Sequence, residues 1–178
     1  MNPLTIIKKY YPVDSDIYNV LVEHSRLVAD KALELAARHP ELKLDLTFIE
    51  EAAMLHDIGI FLCDAPDIAC HGVEPYIRHG VLGAELLRKE GLPLHALVCE
   101  RHTGSGITKQ QIVVQHLPLP EQDMLPLSNE EKLICLADKF YSKSHPGKEK
   151  PVEKIRKSMA RFGDDALKRF DEMCDLFL

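Results

Sequence analysis

The chain has 178 residues, 46% of them hydrophobic, which is enough for a single domain with one buried core. Its formal charge of -6 argues against a broad surface for binding nucleic acids. Aromatic residues make up only 6% of the chain and Trp is absent, so the composition favours helices over a β-sandwich.

The cysteines and the first residues of the chain indicate where the protein works. The five cysteines are an odd number with no CxxC pair, so we expect reduced thiols rather than disulfides or a thiolate zinc site. The initial segment MNPLTIIKKYY lacks the apolar block of a signal peptide, and no run of about eighteen apolar residues occurs. We therefore expect a cytoplasmic protein with no membrane association.

The first predicted helix follows the turn-like segment VDSD at 13–16. Its residues repeat with the helical period, which places one stripe of side chains towards the core. This stripe contains His24 together with four aliphatic residues, Ile17, Leu21, Val28 and Leu35.

The second predicted helix contains the sequence AMLHDIGIF. Thr47 and Glu50 form the pattern of a capping box at its start, and Gly59 is expected to end it in a left-handed conformation. The apolar positions before His56 recur at helical spacing, so His56 is predicted to point inward, with Asp57 beside it.

Two further helices follow a predicted connecting loop at 60–77. One begins near His79, carries it on the apolar side and ends at Gly91. The next covers 94–101 and leads to His102, after which the sequence TGSG interrupts the helical pattern.

The last third of the chain predicts three more helices, giving about seven in all and no convincing strand. After a polar, proline-rich stretch at 115–127, Ser128 and Glu131 form a second capping-box pattern, and Asp138 falls on the buried face that follows. The tail at 151–178 divides into two helices at a glycine. We expect one all-α domain over 1–178.

Five predicted helices thus each carry an ionisable side chain on the face that their neighbours bury. An unpaired carboxylate in a core costs several kcal/mol, so these groups must be paired, hydrogen-bonded or bound to metal. His24, His56, Asp57 and Asp138 would provide two imidazoles and two carboxylates for one divalent ion. Such a set suits iron, manganese or zinc. His79 and His102 could hold a second ion, with Asp57 bridging the two.

These motifs resemble the HD superfamily of metal-dependent phosphohydrolases. The matching segments are VEHSRLVA (His24), AMLHDIG (His56 and Asp57), RHGVLGAE (His79), ERHTGSGIT (His102) and LICLADKF (Asp138), and their matching residues span 24–140, most of the chain. The resemblance implies an all-α HD bundle with its metal site between helix faces. It also implies hydrolysis of a phosphoester or phosphoanhydride by metal-activated water.

The third and fourth of these segments look more narrowly like small HDIG-domain proteins that are common in archaea. The pattern of six ligands is also similar to that of bacterial enzymes that split diadenosine tetraphosphate symmetrically. No Gly-Tyr-Pro signature follows the HD segment, which disfavours the cyclic-di-GMP phosphodiesterase branch. The substrate itself does not carry over from these resemblances.

The resemblance assigns catalytic roles to Asp57, His79 and His102, the two histidines either on a second ion or in contact with substrate phosphate. Four basic side chains are candidates for binding substrate phosphate: Lys139, Lys154, Lys157 and Arg161. We expect a small phosphorylated substrate, a nucleotide in the first instance, and homodimer formation stays open. Two other functions also stay open, a di-iron oxygenase and a catalytically idle module that binds a nucleotide and signals.

Overall fold

The computed structural model describes residues 1–178 as nine α-helices and one very short hairpin. The helices are α1 (Pro3–Tyr10), α2 (Asp16–Arg38), α3 (Leu46–Leu55), α4 (His79–Lys89), α5 (Pro93–Arg101), α6 (Lys109–Val114), α7 (Asn129–Lys139), α8 (Val152–Met159) and α9 (Asp164–Phe177). The strands are β1 (Asp64–Ala65) and β2 (Cys70–His71). The all-α prediction is confirmed. None of the helices combines the length and the apolar character that crossing a bilayer requires.

The predicted number of seven helices was too low because α1 and α6 are short. Helix α1 has only eight residues, yet it buries Ile6 and Ile7 and is capped by the side chain of Asn2. Helix α6 has six residues and begins with a complete capping box between Thr108 and Gln111. Segments this short contain too few turns for a clear helical period, so their stability depends on caps and tertiary contacts.

One of the two predicted capping boxes was misplaced. The N-cap of α3 is Asp45, whose side chain accepts a hydrogen bond from the Phe48 amide, and Thr47 already lies in the first turn. At α7, Ser128 is the N-cap as predicted, but the Glu131 carboxylate accepts from the amide of Leu127, one residue before the cap, and not from that of Ser128. Several cap residues in succession make the exact helix start ambiguous from sequence.

The connection between α3 and α4 was predicted as a loop and contains the small hairpin. Strand β1 pairs antiparallel with β2, joining Asp64 to His71 and Ala65 to Cys70. Three short 3-10 turns also lie in this segment. Two-residue strands leave no alternating pattern that a sequence could reveal.

Helix α2 is the central element of the bundle. It packs against α3 and α7, while α4 packs against α5. The predicted aliphatic stripe of α2 is buried at Leu21, Val28 and Leu35. All five cysteines are free thiols. The core therefore forms between α2, α3 and α7, the helices from which three of the predicted ligand segments come.

Gly59 has a different role from the predicted one. Helix α3 ends at Leu55, and Gly59 has a φ of -85°, so it does not form a left-handed cap. A Cβ atom at this position would lie 2.3 Å from the carbonyl oxygen of His79 and 2.4 Å from the amide nitrogen of Gly83. The glycine is needed because the backbone of α4 lies directly against it, which brings His79 next to the HD segment.

We predict that Gly59→Ala lowers the free energy of unfolding by at least about 2 kcal/mol, because the backbone atoms around it cannot move aside cheaply. Denaturant unfolding measures this change. Gly147→Ala is the control, since a Cβ there meets no atom within 4 Å and only its φ of 72° is strained, at a cost of about 1 kcal/mol. Equal losses in the two variants would contradict the close-approach explanation.

Candidate metal centre

The structure brings all six predicted ligand residues together in one buried cluster. His24 comes from α2 and Asp138 from α7, whereas His79 begins α4. His56 and His102 are the residues that directly follow α3 and α5. The six residues, with Asp57 at the centre, are each 9% exposed or less.

The first group of potential ligand atoms lies on one side of Asp57. Its Oδ2 atom is 3.3 Å from Nε2 of His24 and 2.9 Å from Nε2 of His56. Oδ1 of Asp138 is 3.0 Å and 3.5 Å from the same two nitrogen atoms. Ligand atoms about 2.0–2.2 Å from one ion lie roughly 2.9–3.6 Å from each other. These four side chains therefore have the spacing of a single coordination shell.

The second group lies on the other side of the same carboxylate. Oδ1 of Asp57 is 3.4 Å from Nε2 of both His79 and His102, and those two nitrogen atoms are 3.1 Å apart. Each oxygen of Asp57 thus faces a different set of nitrogen atoms. This is the arrangement in which one carboxylate bridges two ions.

Backbone carbonyl groups fix the protonation of three histidine rings. The Nδ1 atoms of His56, His79 and His102 lie 2.6–2.8 Å from carbonyl oxygens three residues earlier in the chain. A carbonyl oxygen can only accept, so Nδ1 carries the proton and donates it. When such a ring is neutral, its Nε2 lone pair points into the cluster, as in histidines that bind metal.

Several atoms of the cluster have no hydrogen-bond partner, although they are buried. These include Oδ1 of Asp57 and Nε2 of His56, while the Nε2 atoms of His79 and His102 face each other; Oδ2 of Asp57 lies against the ammonium group of Lys143. A buried polar atom without a partner costs about 1–3 kcal/mol. Cations between these lone pairs would satisfy all of them, so the residues present fit divalent metal ions.

The charges in the cluster shift the pKa values of its members in opposite directions. Burial lowers the pKa of His56, but the carboxylates of Asp57 and Asp138 outweigh this and raise it to about 9. Burial lowers the pKa of His79 to about 3, only partly opposed by Asp57. Burial favours protonation of Asp57, yet His56 and Lys143 hold its pKa well below the usual range. Both carboxylates are therefore ionised and available as ligands.

The two thiols near the cluster are not candidate ligands. Cys99 donates to the carbonyl oxygen of Leu55, and Cys135 to that of His102. Burial raises the pKa of Cys135 to about 11 and that of Cys99 well above its usual value, so both stay protonated. The donor set is limited to nitrogen and oxygen, which suits Fe, Mn or Zn.

Two lysines lie against the carboxylates, and only one of them was predicted. Lys139 is 2.5 Å from Oδ2 of Asp138 and also donates to the carbonyl oxygen of His102. Lys143, which sequence reasoning missed, is 2.6 Å from Oδ2 of Asp57. The sequence signal for Lys143 was its position five residues after Asp138. In a polar segment such a lysine looks like any surface lysine, because the sequence does not show that the segment folds inward.

A cavity of about 410 Å³ leads from this cluster to the surface. Its wall includes two ligand residues and five neighbouring polar or aromatic side chains, namely His24, Asp138, Tyr76, Lys139, Tyr141, Lys143 and Lys150. The Tyr76 ring stacks on His79 with ring centres 4.6 Å apart. A small molecule entering this cavity would meet the carboxylate of Asp138 beside three lysines.

The other predicted basic residues line a second groove of about 350 Å³. Three of its residues come from α8 and the turn after it, namely Lys154, Lys157 and Arg161. Two more, Lys139 and Lys150, line both this groove and the cavity. All four candidates for phosphate binding therefore lie along one groove beside the cavity, although their contact with a substrate stays a prediction.

Comparison with known proteins identifies the family. The HD domain family matches residues 21–142, more than half of the chain and the part that contains all six residues of the cluster. The chain belongs to the HD domain family.

Three relatives show how this unit occurs elsewhere. An uncharacterised protein of Methanocaldococcus jannaschii is 39% identical over 66% of this chain and 64% of its own length. Two proteins named tRNA (cytidine(56)-2'-O)-methyltransferase, from Picrophilus torridus and Thermoplasma volcanium, are 31% and 28% identical over 70% and 68% of this chain. The match covers only 32% of each methyltransferase. No solved structure matches the chain.

The cluster makes a quantitative prediction about metal binding. We expect metal-free protein titrated with Mn²⁺ to bind about two ions per chain, and His102→Ala to bind about one, because that change removes a ligand from one side of Asp57 only. Asp57→Ala should bind neither ion tightly. Calorimetry and elemental analysis after gel filtration measure both.

His95→Ala is the control for these variants. This histidine is also buried, but it pairs with Glu51 outside the cluster, 3.3 Å away. It should leave the stoichiometry unchanged. Two tightly bound ions in His102→Ala would disprove the bridging arrangement.

Proposed function

We propose that the protein is a metal-dependent phosphohydrolase that cleaves a phosphoester or phosphoanhydride bond of a nucleotide or a similar small phosphorylated molecule. The observation that carries this proposal is the buried Asp57, whose two oxygens face two separate sets of imidazole nitrogen atoms. Membership of the HD domain family supports the same chemistry.

The residues divide into two ligand sets that share Asp57. His24, His56 and Asp138 would hold one ion, and His79 and His102 the other. When bound, such ions neutralise phosphate charge and lower the pKa of water from its high bulk value to about 7.

The protein side chains contribute orientation and charge. The carbonyl groups that accept from the Nδ1 atoms keep the three rings in one tautomer and one direction. Lys143 lies beside Asp57 at the cavity wall, where its ammonium group can bind a phosphoryl oxygen. Burial lowers the pKa of Lys143, but Asp57 more than reverses this, so the side chain stays charged.

The names of the relatives inform the choice of substrates to test. Two relatives are named as tRNA methyltransferases, and the segment shared with this chain is about a third of each. Methylation is therefore not proposed for this chain. We include short RNA strands among the candidate substrates beside nucleoside mono-, di- and triphosphates.

We predict that Mn²⁺- or Fe²⁺-loaded protein releases phosphate or a nucleotide from at least one of these compounds and that Asp57→Ala abolishes the release. The reason is that no other side chain can supply a carboxylate to both ligand sets. Phosphate release and chromatography of the products measure the reaction. Asp64→Ala, an exposed aspartate in the hairpin, is the matched control and should keep full activity.

Two results would contradict the hydrolase proposal. Two tightly bound irons with oxygen uptake and no hydrolysis would indicate the oxygenase. Tight nucleotide binding without turnover would indicate a binding module.

We predict that Lys143→Gln lowers kcat by about 100-fold, because it removes a positive charge from the site of charge development. The metal content should stay at the wild-type value, since the change leaves all six ligands in place. Steady-state kinetics and elemental analysis test this together. Lys168→Gln on α9, an exposed lysine with a distant partner at 4.0 Å, is the matched control. Loss of metal in Lys143→Gln would instead indicate a role in assembling the centre.

A further inference from the structure

Positive charge is concentrated in one part of this acidic protein. Residues 139–161 contain eight lysines and arginines and two glutamates, a net charge of +6, whereas the whole chain carries -6. The remaining residues therefore carry -12. Such a local reversal of sign produces a positive potential where this segment faces solvent and attracts anions there.

Most of these cations have no acidic partner. Lys139 and Lys143 pair with the carboxylates of the metal centre, and Arg156 pairs with Asp171. The other basic side chains of the segment make no ion pair, although many surface cations elsewhere do. The unpaired members are Lys148, Lys150, Lys154, Lys157 and Arg161.

Lys150 lies between the cavity beside the metal centre and the second groove, which we call the basic groove. It is partly buried and lies in the walls of both spaces, as Lys139 does. Burial lowers the pKa of Lys150, and the charges of Lys139, Lys143 and Lys154 add to this effect while Asp138 opposes it. An unpaired cation held among other cations is stabilised when an anion binds between them.

We propose that the basic groove binds the phosphate chain of a small polyphosphate substrate, so that the scissile phosphate lies at the metal centre and further phosphates extend past Lys150 to Lys154, Lys157 and Arg161. This inference rests on the proposed function, and it restricts the substrate class to nucleotides or related molecules with three or more linked phosphates. Lys150 then contacts the phosphate next to the scissile one.

The size of the groove and the charges at its far end favour a compact polyanion over a nucleic-acid strand. Lys154 and Arg161 are seven positions apart, which corresponds to about 10 Å along a helix. Asp164 and Asp165 follow directly at the start of α9, where they would repel the next phosphates of a longer strand. A short chain of phosphates concentrates its charge within the basic part.

The test separates binding in the groove from catalysis at the metal centre. Protein stripped of metal and transferred to chelator-free buffer is titrated with inorganic tripolyphosphate and with inorganic phosphate. We expect tripolyphosphate to bind at least about tenfold more tightly than inorganic phosphate. The single variant Lys150→Gln and the double variant Lys154→Gln with Lys157→Gln should each weaken tripolyphosphate binding by about tenfold. Lys8→Gln with Lys89→Gln, two exposed lysines without ion pairs outside the groove, is the matched double control.

The metal-loaded enzyme provides the second measurement. The same groove variants should lower kcat/KM for a nucleoside triphosphate by about tenfold and leave that for the monophosphate within about twofold. Equal affinity for tripolyphosphate and phosphate, or wild-type affinity in the groove variants, would overturn the inference even if hydrolysis occurs. Selective effects on a short RNA strand would also overturn it. Selective tripolyphosphate binding without hydrolysis of any compound would support the groove and reject the proposed function.

Discussion

The buried carboxylate of Asp57 is the constraint on which the rest of the structure depends. It is fully buried, its Oδ1 atom has no hydrogen bond, and neighbouring cations hold its pKa well below the usual range. A charge in such a place must be compensated, or it would unfold a protein of ordinary stability. Imidazoles from four segments and the ammonium group of Lys143 converge on it. These groups are brought together by the packing of α2 against α3 and α7 and by the close approach of α4 at Gly59.

The ends of helices supply much of the support for the centre. His56 and His102 directly follow α3 and α5, and their Nδ1 atoms donate to carbonyl oxygens in the last turns of those helices. The last four carbonyl groups of a helix lack partners within it, so this single bond satisfies an otherwise unpaired acceptor and orients a ring. His79 uses the turn before α4 in the same way. In each ring the backbone carbonyl therefore keeps the proton on Nδ1, and Nε2 points towards the centre.

The distribution of charge complements this geometry. The centre itself contains two carboxylates, while its mouth and the adjacent groove contain unpaired lysines in a chain that is otherwise strongly acidic. A negative cluster is electrostatically suited to metal cations, and a positive rim is suited to an anionic ligand. Family membership and this arrangement point to the same class of chemistry.

The sequence by itself determined the helical class, the inward position of all six ligand residues and the family resemblance, because helical periodicity and short motifs are local properties of the chain. It did not reveal α1 and α6, and it misplaced the cap of α3 and the role of Gly59, which depend on short segments and on contacts with distant residues. Only the tertiary structure decided that Lys143 lies beside Asp57 and that Lys150 lies in the walls of both the cavity and the groove. The physical reason is that distances between side chains on different helices are set by packing, which no single segment encodes.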